Sequence, residues 1–390
     1  MMPRVLIAAG GTGGHVFPAL AVAQALRGQG WHAEWVGTDR GLEARVIPDA
    51  GIGLHILRFT GVRGKGLSAW LGLPLRLLRA LSDALAIVRH VRPSVVVAFG
   101  GYVTFPVGLA ARLSRIPLCI HEQNAVMGTA NRWLARIASR VMVSFPQTRF
   151  APGSSILIGN PVRESILNLA DPAERAADRT GALRVLVMGG SLGATALNQH
   201  LPPCFAEVTR QGQRLTIRHQ SGQQDLEMLR QRYRGLGLEA DCTAFIRDME
   251  AAYAWADLVI CRAGASTVTE VAAAGLPAIF IPLPSAIDDH QTANARYLSD
   301  SDAAWLVRQT DLTRHAADRP AATDRQVAAD PQSSADIQTN PLVKLLTSLT
   351  RETCISVGTR ARKRAMRDAA DHAAAQVAGV IGRHHQERDR

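Results

Sequence analysis

The chain is short of cysteine, lysine, aromatic side chains and long apolar runs, and each shortage excludes a class of protein. Its five cysteines (Cys119, Cys204, Cys242, Cys261 and Cys354) are odd in number, scattered and without a CxxC pair. That pattern argues against a disulfide framework and a zinc site, and for a reducing cytoplasm. Aromatic residues make up 5% of the chain and only four are tyrosines, so stacking on nucleic-acid bases has little to work with. Zinc-finger spacing and RNA-binding signatures are missing too, and no nucleic-acid partner is expected. No segment reaches about 18 uninterrupted apolar residues, which removes a membrane-spanning helix. The apolar run Val5 to Ala9 is too short for the core of a signal peptide.

What the chain does have is arginine, unevenly placed. The net charge is +11, with lysine only at Lys65, Lys344 and Lys363. Residues 1–160 carry 17 Lys+Arg against 6 Asp+Glu, while residues 161–390 carry 27 of each. A basic half beside a neutral one suits attraction to anionic lipid or to phosphate-bearing substrates; a solvated arginine-rich surface is the alternative. At 390 residues and 47% hydrophobic content, the chain exceeds one ordinary core and implies two or three compact units.

The order of elements gives an α/β fold. Val5 to Ala9, a glycine turn, an alanine-rich helix from about Pro18 to Arg27 and Trp31 to Val36 read as β-turn-α-β. The pattern recurs at Val95 to Phe99 with Gly100-Gly101, and at Leu118 to Ile120 with the polar turn His121 to Asn124. Apolar strands alternating with helices imply parallel sheets covered on both faces. Leu167 to Thr180 reads as a linker, and a second start follows at Arg184 to Met188 with Gly189 to Ala194. The expectation is two Rossmann-like, doubly wound parallel-sheet domains facing a cleft. They span residues 1–162 and 163–356, with a loop insertion over 309–339 and a closing amphipathic helix, about 357–385, that can pack back on the first domain.

Three turns are placed for chemistry. Gly10-Gly11-Thr12-Gly13-Gly14-His15 lies between strand and helix, where backbone N–H groups and the helix dipole hold an anion. It matches neither the dinucleotide fingerprint nor a P-loop. His15 at its mouth is an acid/base candidate or a packing histidine. Gly189 to Ala194 repeats the design, with Ser191 suited to a diphosphate oxygen. Gly264 to Glu270 is a third loop ahead of a helix; Glu270 can accept ribose hydroxyls or serve as a first-turn helix acid. Asp288 to Asn294 offers groups that can orient sugar hydroxyls, or a helix start capped by Asp. His121-Glu122 fails as a zincin because Ala125 stands at the fifth position, and Asp300-Ser-Asp302 reads as surface.

In order, these landmarks together with Gly61 to Gly66, Gly100-Gly101-Tyr102, His121 to Asn124 and Gly159 to Arg163 resemble the MurG family, N-acetylglucosaminyltransferases of glycosyltransferase family 28. The resemblance covers most of the chain. It implies a GT-B architecture and, without metal or cofactor, inverting β-1,4 transfer from UDP-GlcNAc to the undecaprenyl-diphosphate muramyl-pentapeptide lipid, at the cytoplasmic face of the bacterial inner membrane. Carried over by position, the donor contacts are Thr12, Gly13, Gly14, Asn124, Arg163, Ser191, Ile246, Ala265, Ser266, Thr267, Val268, Thr269, Glu270 and Gln291. His15 is the candidate base or base partner, with Glu122 as its rival. The stretch Leu67 to Arg79 reads as an interfacial anchor that would hold a peripheral enzyme on an anionic membrane, or as a buried core helix.

Departures from the family pattern are Leu192 in place of glutamine, Asp300-Ser-Asp302 in place of an Ala-Gly pair, and the longer 309–339 stretch. A related transferase acting on another lipid, such as a diacylglycerol galactosyltransferase, and a nucleotide-sugar binding protein without catalysis are the competing readings.

Overall fold

The computed structural model describes residues 2–59, 72–190, 193–313 and 340–388, with the side chains of 383–388 outside that description. The motif Gly61 to Gly66, Ser191, Leu192 and residues 314–339 of the expected insertion therefore lie outside the described residues. The chain divides into two units, Met1–Arg163 with Met366–Arg390, and Glu164–Ala365.

The first unit is built on a seven-stranded sheet in the order β3-β2-β1-β4-β5-β6-β7. Its strands are β1 Arg4–Ala9, β2 His32–Gly37, β3 Gly53–Ile56, β4 Val95–Gly100, β5 Leu118–Glu122, β6 Arg140–Val143 and β7 Ile156–Leu157. Every pairing is parallel. The central strands are continuously apolar because both faces are covered: Val5, Leu6, Ile7, Val95, Val96 and Val97 are all fully buried. On one face, Val16, Ala19 and Val22 of the helix Gly13–Gly28 pack with Ala373, Ala374 and Val377 of the helix Ala369–Arg388. The other face is closed by Ala80, Ala84 and Val88 of Leu73–Val91 and by Val107 and Ala110 of Thr104–Leu113.

The second unit carries a six-stranded parallel sheet in the order β10-β9-β8-β11-β12-β13. The strands are β8 Leu183–Met188, β9 Leu215–Gln220, β10 Ala240–Thr243, β11 Leu258–Cys261, β12 Ala278–Phe280 and β13 Trp305–Leu306. Leu197, Leu201 and Phe205 of the helix Thr195–Arg210 and Leu342, Val343 and Leu346 of the helix Pro341–Ser348 fill its core. All five cysteines are buried. Both units are Rossmann-like, the pair of domains that defines the GT-B class.

Four readings of the sequence need correction. The closing helix expected over 357–385 is two helices, Arg351–Arg364 and Ala369–Arg388. Cys354, Val357 and Ala361 are buried within the second unit and Ala373, Ala374 and Val377 within the first, so the apolar positions serve two cores and the helix breaks between them. The first helix begins at Gly13, not near Pro18. Thr12, extended at φ −103°, accepts the amides of His15 and Val16 at 3.1 and 3.2 Å, and Pro18 keeps a helical φ inside the helix. His121 and Glu122, read as the opening of a polar turn, are the last residues of β5. The stretch 167–180, read as a linker, contains the short helix Pro172–Ala176, fastened by arginine hydrogen bonds described below.

Val377 is fully buried, and shortening it should lower stability without touching any turn. Val377→Ala is expected to cost about 1–3 kcal/mol in chemical denaturation; an unchanged unfolding midpoint would show that the terminal helix is not part of the first core.

Candidate active site

In an open α/β sheet, ligands gather beyond the carboxyl ends of the strands where the strand order reverses. In the first unit the reversal lies between β1 and β4, so the turns Gly10–Thr12 and Gly100–Tyr102 stand side by side. Their approach is tight enough to require glycine: Gly101 has φ +87°, and a Cβ there would lie 2.3 Å from the Gly10 carbonyl oxygen. Gln123 ties in the loop after β5 by donating from Nε2 to the Phe99 carbonyl.

A buried carboxylate sits behind the first turn. Glu43 is fully buried; its Oε2 accepts the Gly11 amide at 3.0 Å and its Oε1 accepts the Thr38 amide and hydroxyl at 2.9 and 2.7 Å. The negative charge thus sets the conformation of the turn that opens the helix Gly13–Gly28. Thr12, the exposed N-cap, leads directly into Gly13 and Gly14 of the first turn, where helix amides favour an anion.

His15 occupies the same first turn. Its Nδ1 lies 3.3 Å from Thr12 Oγ1, and the far side of the ring abuts Gly100, where a Cβ would come within 2.5 Å of Cδ2. The residue as a whole keeps some solvent contact, but the ring is crowded. Desolvation lowers its pKa to about 4 and the nearby charge of Glu43 only partly opposes this. The imidazole is therefore neutral near pH 7, with a lone pair able to take a proton.

Glu122, its rival in the sequence, is occupied. Oε1 accepts the amide and side-chain N–H of Asn124 at 3.0 and 3.2 Å, and Oε2 accepts the Gly128 amide and Asn131 Nδ2, both at 2.9 Å. Burial raises its pKa while those four donors pull it down. The carboxylate shapes the loop after β5 and fixes Asn124. Its neighbour His121 is buried against the Gly159 carbonyl at 3.0 Å, and burial lowers its pKa to about 4. Arg163 ends this unit with its guanidinium 4.9 Å from the centre of the Phe17 ring, which sets it beside the first turn of the helix Gly13–Gly28.

In the second unit the reversal lies between β8 and β11. Gly189 and Gly190 follow β8, and Gln220 Nε2 holds the Gly190 carbonyl at 2.8 Å. Gly193, at φ +79°, packs so closely that a Cβ would meet the Ser221 carbonyl oxygen at 2.2 Å. Beyond β11, Gly264 is the N-cap of the helix Ala265–Ala274, whose first turn carries no acid. This corrects the reading of 264–270 as a loop ahead of a helix: extended Gly264, at φ −62° and ψ 144°, lets the helix start at once. Within it Ala265 and Val268 face the core, and the Val268 amide is bonded to the Gly264 carbonyl at 3.0 Å. Ser266, Thr267, Thr269 and Glu270 are partly exposed. Thr269 bonds back to the Ala265 carbonyl at 3.0 Å, and Tyr253 donates its hydroxyl to Glu270 at 3.2 Å.

Two groups read as sugar-facing turn out to hold the protein. Gln291 Oε1 accepts the amides of Ala263 and Leu283 at 3.3 and 3.0 Å, and buried Asn294 donates to the Ala263 carbonyl at 3.1 Å. Both pin the turn before Gly264. Asp289 is the N-cap of the helix His290–Ser299 but makes no side-chain cap bond. Ile246, partly buried, lies between β10 and the helix Met249–Trp255. Asp300 and Asp302 are exposed, and no cluster of metal-ligand side chains occurs among the described residues.

The sequence had not singled out Glu43, Gln220, Tyr253 or Asn131. Each acts through a contact far along the chain, and only Glu43 left a trace, as an acid in a first helical turn after a Gly-Leu pair.

Glu43→Gln should break this support, because an amide NH₂ would face donors on at least one side. A loss of about 1–3 kcal/mol per unsatisfied donor is expected, with faster hydrogen exchange at Gly11 and Thr38; unchanged exchange at both would show that the charge is dispensable.

Residues 5–143 match the glycosyltransferase family 28 N-terminal domain and residues 184–338 the family 28 C-terminal domain. A protein of Bordetella parapertussis, named UDP-N-acetylglucosamine--N-acetylmuramyl-(pentapeptide) pyrophosphoryl-undecaprenol N-acetylglucosamine transferase, is 56% identical over 311 residues, covering 80% of this chain and 86% of the relative. A protein of the same name from Pseudomonas paraeruginosa is 53% identical over 309 residues, covering 79% and 86%. The crystal structure of Acinetobacter baumannii MurG superposes with a TM-score of 0.77 at 38% identity, covering 97% of this chain and 99% of that one. The UDP-GlcNAc 2-epimerase of Neisseria meningitidis shares the fold alone, with a TM-score of 0.64 at 11% identity over 97% of this chain and 100% of its own. With both domain models matched and this identity sustained over four-fifths of its length, the chain belongs to glycosyltransferase family 28.

Proposed function

We propose that the chain transfers N-acetylglucosamine from UDP-N-acetylglucosamine to the 4-hydroxyl of the muramyl sugar in undecaprenyl-diphospho-muramyl-pentapeptide, a step of peptidoglycan synthesis. The observation that carries this reading is the 56% identity, over 80% of the chain, to a transferase named for that donor and acceptor. The geometry supplies roles. In an inverting displacement the acceptor hydroxyl oxygen bonds to the anomeric carbon, the bond from that carbon to the β-phosphate oxygen breaks with its electron pair leaving on UDP, and the hydroxyl proton goes to a base. His15 is that base. Nδ1 lies 3.3 Å from Thr12 Oγ1, and in the tautomer that carries its proton on Nδ1 the lone pair for the acceptor hydroxyl is on Nε2. Glu122 is a positioning residue that presents Asn124.

The donor is read by the second unit. The helix start at Gly264 suits diphosphate oxygens, Glu270 the ribose hydroxyls, and Ile246 offers an apolar surface to the base. Ser191 is a further diphosphate partner on this unit and Gln291 serves by holding the Ala263 turn; on the first unit, Arg163 and the Thr12 to Gly14 turn offer diphosphate and sugar contacts of their own. Incubation with UDP-GlcNAc, and separately with UDP-GalNAc, plus a short-chain muramyl-pentapeptide lipid is expected to yield GlcNAc transfer alone. Transfer only to another lipid, or binding without transfer, overturns the reading. His15→Ala is expected to lower turnover by about 10²- to 10⁴-fold with little change in UDP affinity; near-normal turnover removes His15 from the chemistry.

We further propose that the first unit meets an anionic bilayer at the cytoplasmic face. Leu75 and Leu78 on the helix Leu73–Val91 are 66% and 63% exposed, beside Arg76 and Arg79, which supports an interfacial surface over a buried core helix. Leu67 to Leu71 lie outside the described residues. No described helix is long and apolar enough to cross a membrane. The double variant Leu75→Ser, Leu78→Ser is expected to lose about tenfold or more in sedimentation with phosphatidylglycerol vesicles; unchanged partitioning contradicts this surface.

A further inference from the structure

The second unit contains a cluster of arginines that the transfer reaction does not use. A small cavity of about 20 Å³ is lined by Arg175, Arg179 and Arg351, by Asp257, and by backbone and apolar groups of Gly275, Leu276 and Cys354 among others. Asp257, 2% exposed at its side chain, pairs with Arg179 at 2.5 Å and with Arg351 at 3.2 Å. Arg175 meets no carboxylate; it donates to the carbonyls of Ala170 and Gly275. Arg362 alongside is matched by its own acid, Asp171, at 2.9 Å. The neighbouring acids Glu174, Asp178 and Glu352 are exposed.

Three arginines thus share one buried carboxylate around this cavity, with Asp171 acting on Arg175 only from a distance, so positive charge is in excess at this place. Two donors remain as well: Nε of Arg175 and Nε of Arg351 are buried with no hydrogen-bond partner. Orphaned charged donors are costly. A water molecule fits a cavity of this size and could accept both N–H groups, but it is neutral and leaves the charge unmatched. Burial together with Arg362 and Arg179 presses the Arg175 pKa down to about 10, opposed by Asp171 and Asp257, so the side chain remains protonated at neutral pH.

We propose that this cavity binds a small monovalent anion of halide size, held by Arg175 and Arg351 through their Nε–H groups. The bound anion locks the point where the chain enters and leaves the second unit. Arg175 and Arg362 grip the carbonyls of Leu169 and Ala170, and Arg351 grips those of Arg179 and Ala182 at 3.1 and 2.9 Å. The helix Pro172–Ala176 and the helix Arg351–Arg364 are thereby fastened to one another around one charge-balanced centre.

The test compares thermal unfolding of the full chain in sodium chloride and in sodium gluconate at equal ionic strength. Chloride is expected to raise the midpoint by about 2–4 °C, saturating with concentration as mass action requires. In Arg175→Met the two salts are expected to give the same midpoint. Equal midpoints in the unaltered protein, or an undiminished chloride effect in the variant, overturn the proposal. Should the variant not fold, diffraction from crystals of the unaltered protein soaked in bromide decides: an anomalous peak within hydrogen-bond reach of both Nε atoms supports the site, and water density alone refutes it.

Discussion

A single buried carboxylate underlies the arrangement of the first unit. Glu43 accepts three donors from the ends of β1 and β2, and because it is fully buried those bonds cannot be traded for water at low cost. They hold the Gly10–Thr12 turn in the shape that lets the helix Gly13–Gly28 begin beneath it. His15 takes its place from that helix and is pressed against the Gly100 turn, where a desolvated ring stays neutral. One acid set behind the turn thus governs the backbone, the histidine and the electrostatics in front of it.

Glu122 repeats the principle at the end of β5, two strands from β1. A carboxylate whose oxygens accept four N–H partners is committed to ordering its loop, even though burial raises its pKa against the pull of those donors. In the first unit the buried acids Glu43 and Glu122 build the turns, and the proton transfer proposed for His15 rests on a ring whose free-base form burial favours. The second unit uses amides for the same purpose. Gln220, Gln291 and Asn294 clasp the backbone of its two turns without adding a charge there.

Much of this was legible in the sequence. Glycine turns between an apolar strand and a helix mark both strand-order reversals, and the even-handed burial of parallel strands makes Val5 to Ala9 and Val95 to Phe99 easy to read. Pro18 misled, because proline usually stands at the first helical position, whereas here it lies inside a helix that Thr12 starts. The final helix misled for another reason: its apolar spacing runs on smoothly although two cores share it. Gln291 and Asn294 show that a polar residue near a turn announces a hydrogen bond and not its direction. Glu43 left only the trace of an acid in a first helical turn, because its partners lie 5 and 32 residues away and no local pattern records such a contact.

The proposed separation of tasks rests on a neutral His15 near the engaged carboxylate of Glu43. Its most direct test is the titration of the His15 imidazole by NMR in ¹³C,¹⁵N-histidine-labelled protein, assigned with His15→Ala. The account expects the ring to remain neutral from pH 8 downward and to protonate only at about pH 4. Since the unfolded histidine titrates near 6.5, the folded state loses stability as the pH falls between those two values. A His15 midpoint at or above 6.5 would mean that burial does not hold the ring neutral, and would contradict the role proposed for it as the proton acceptor.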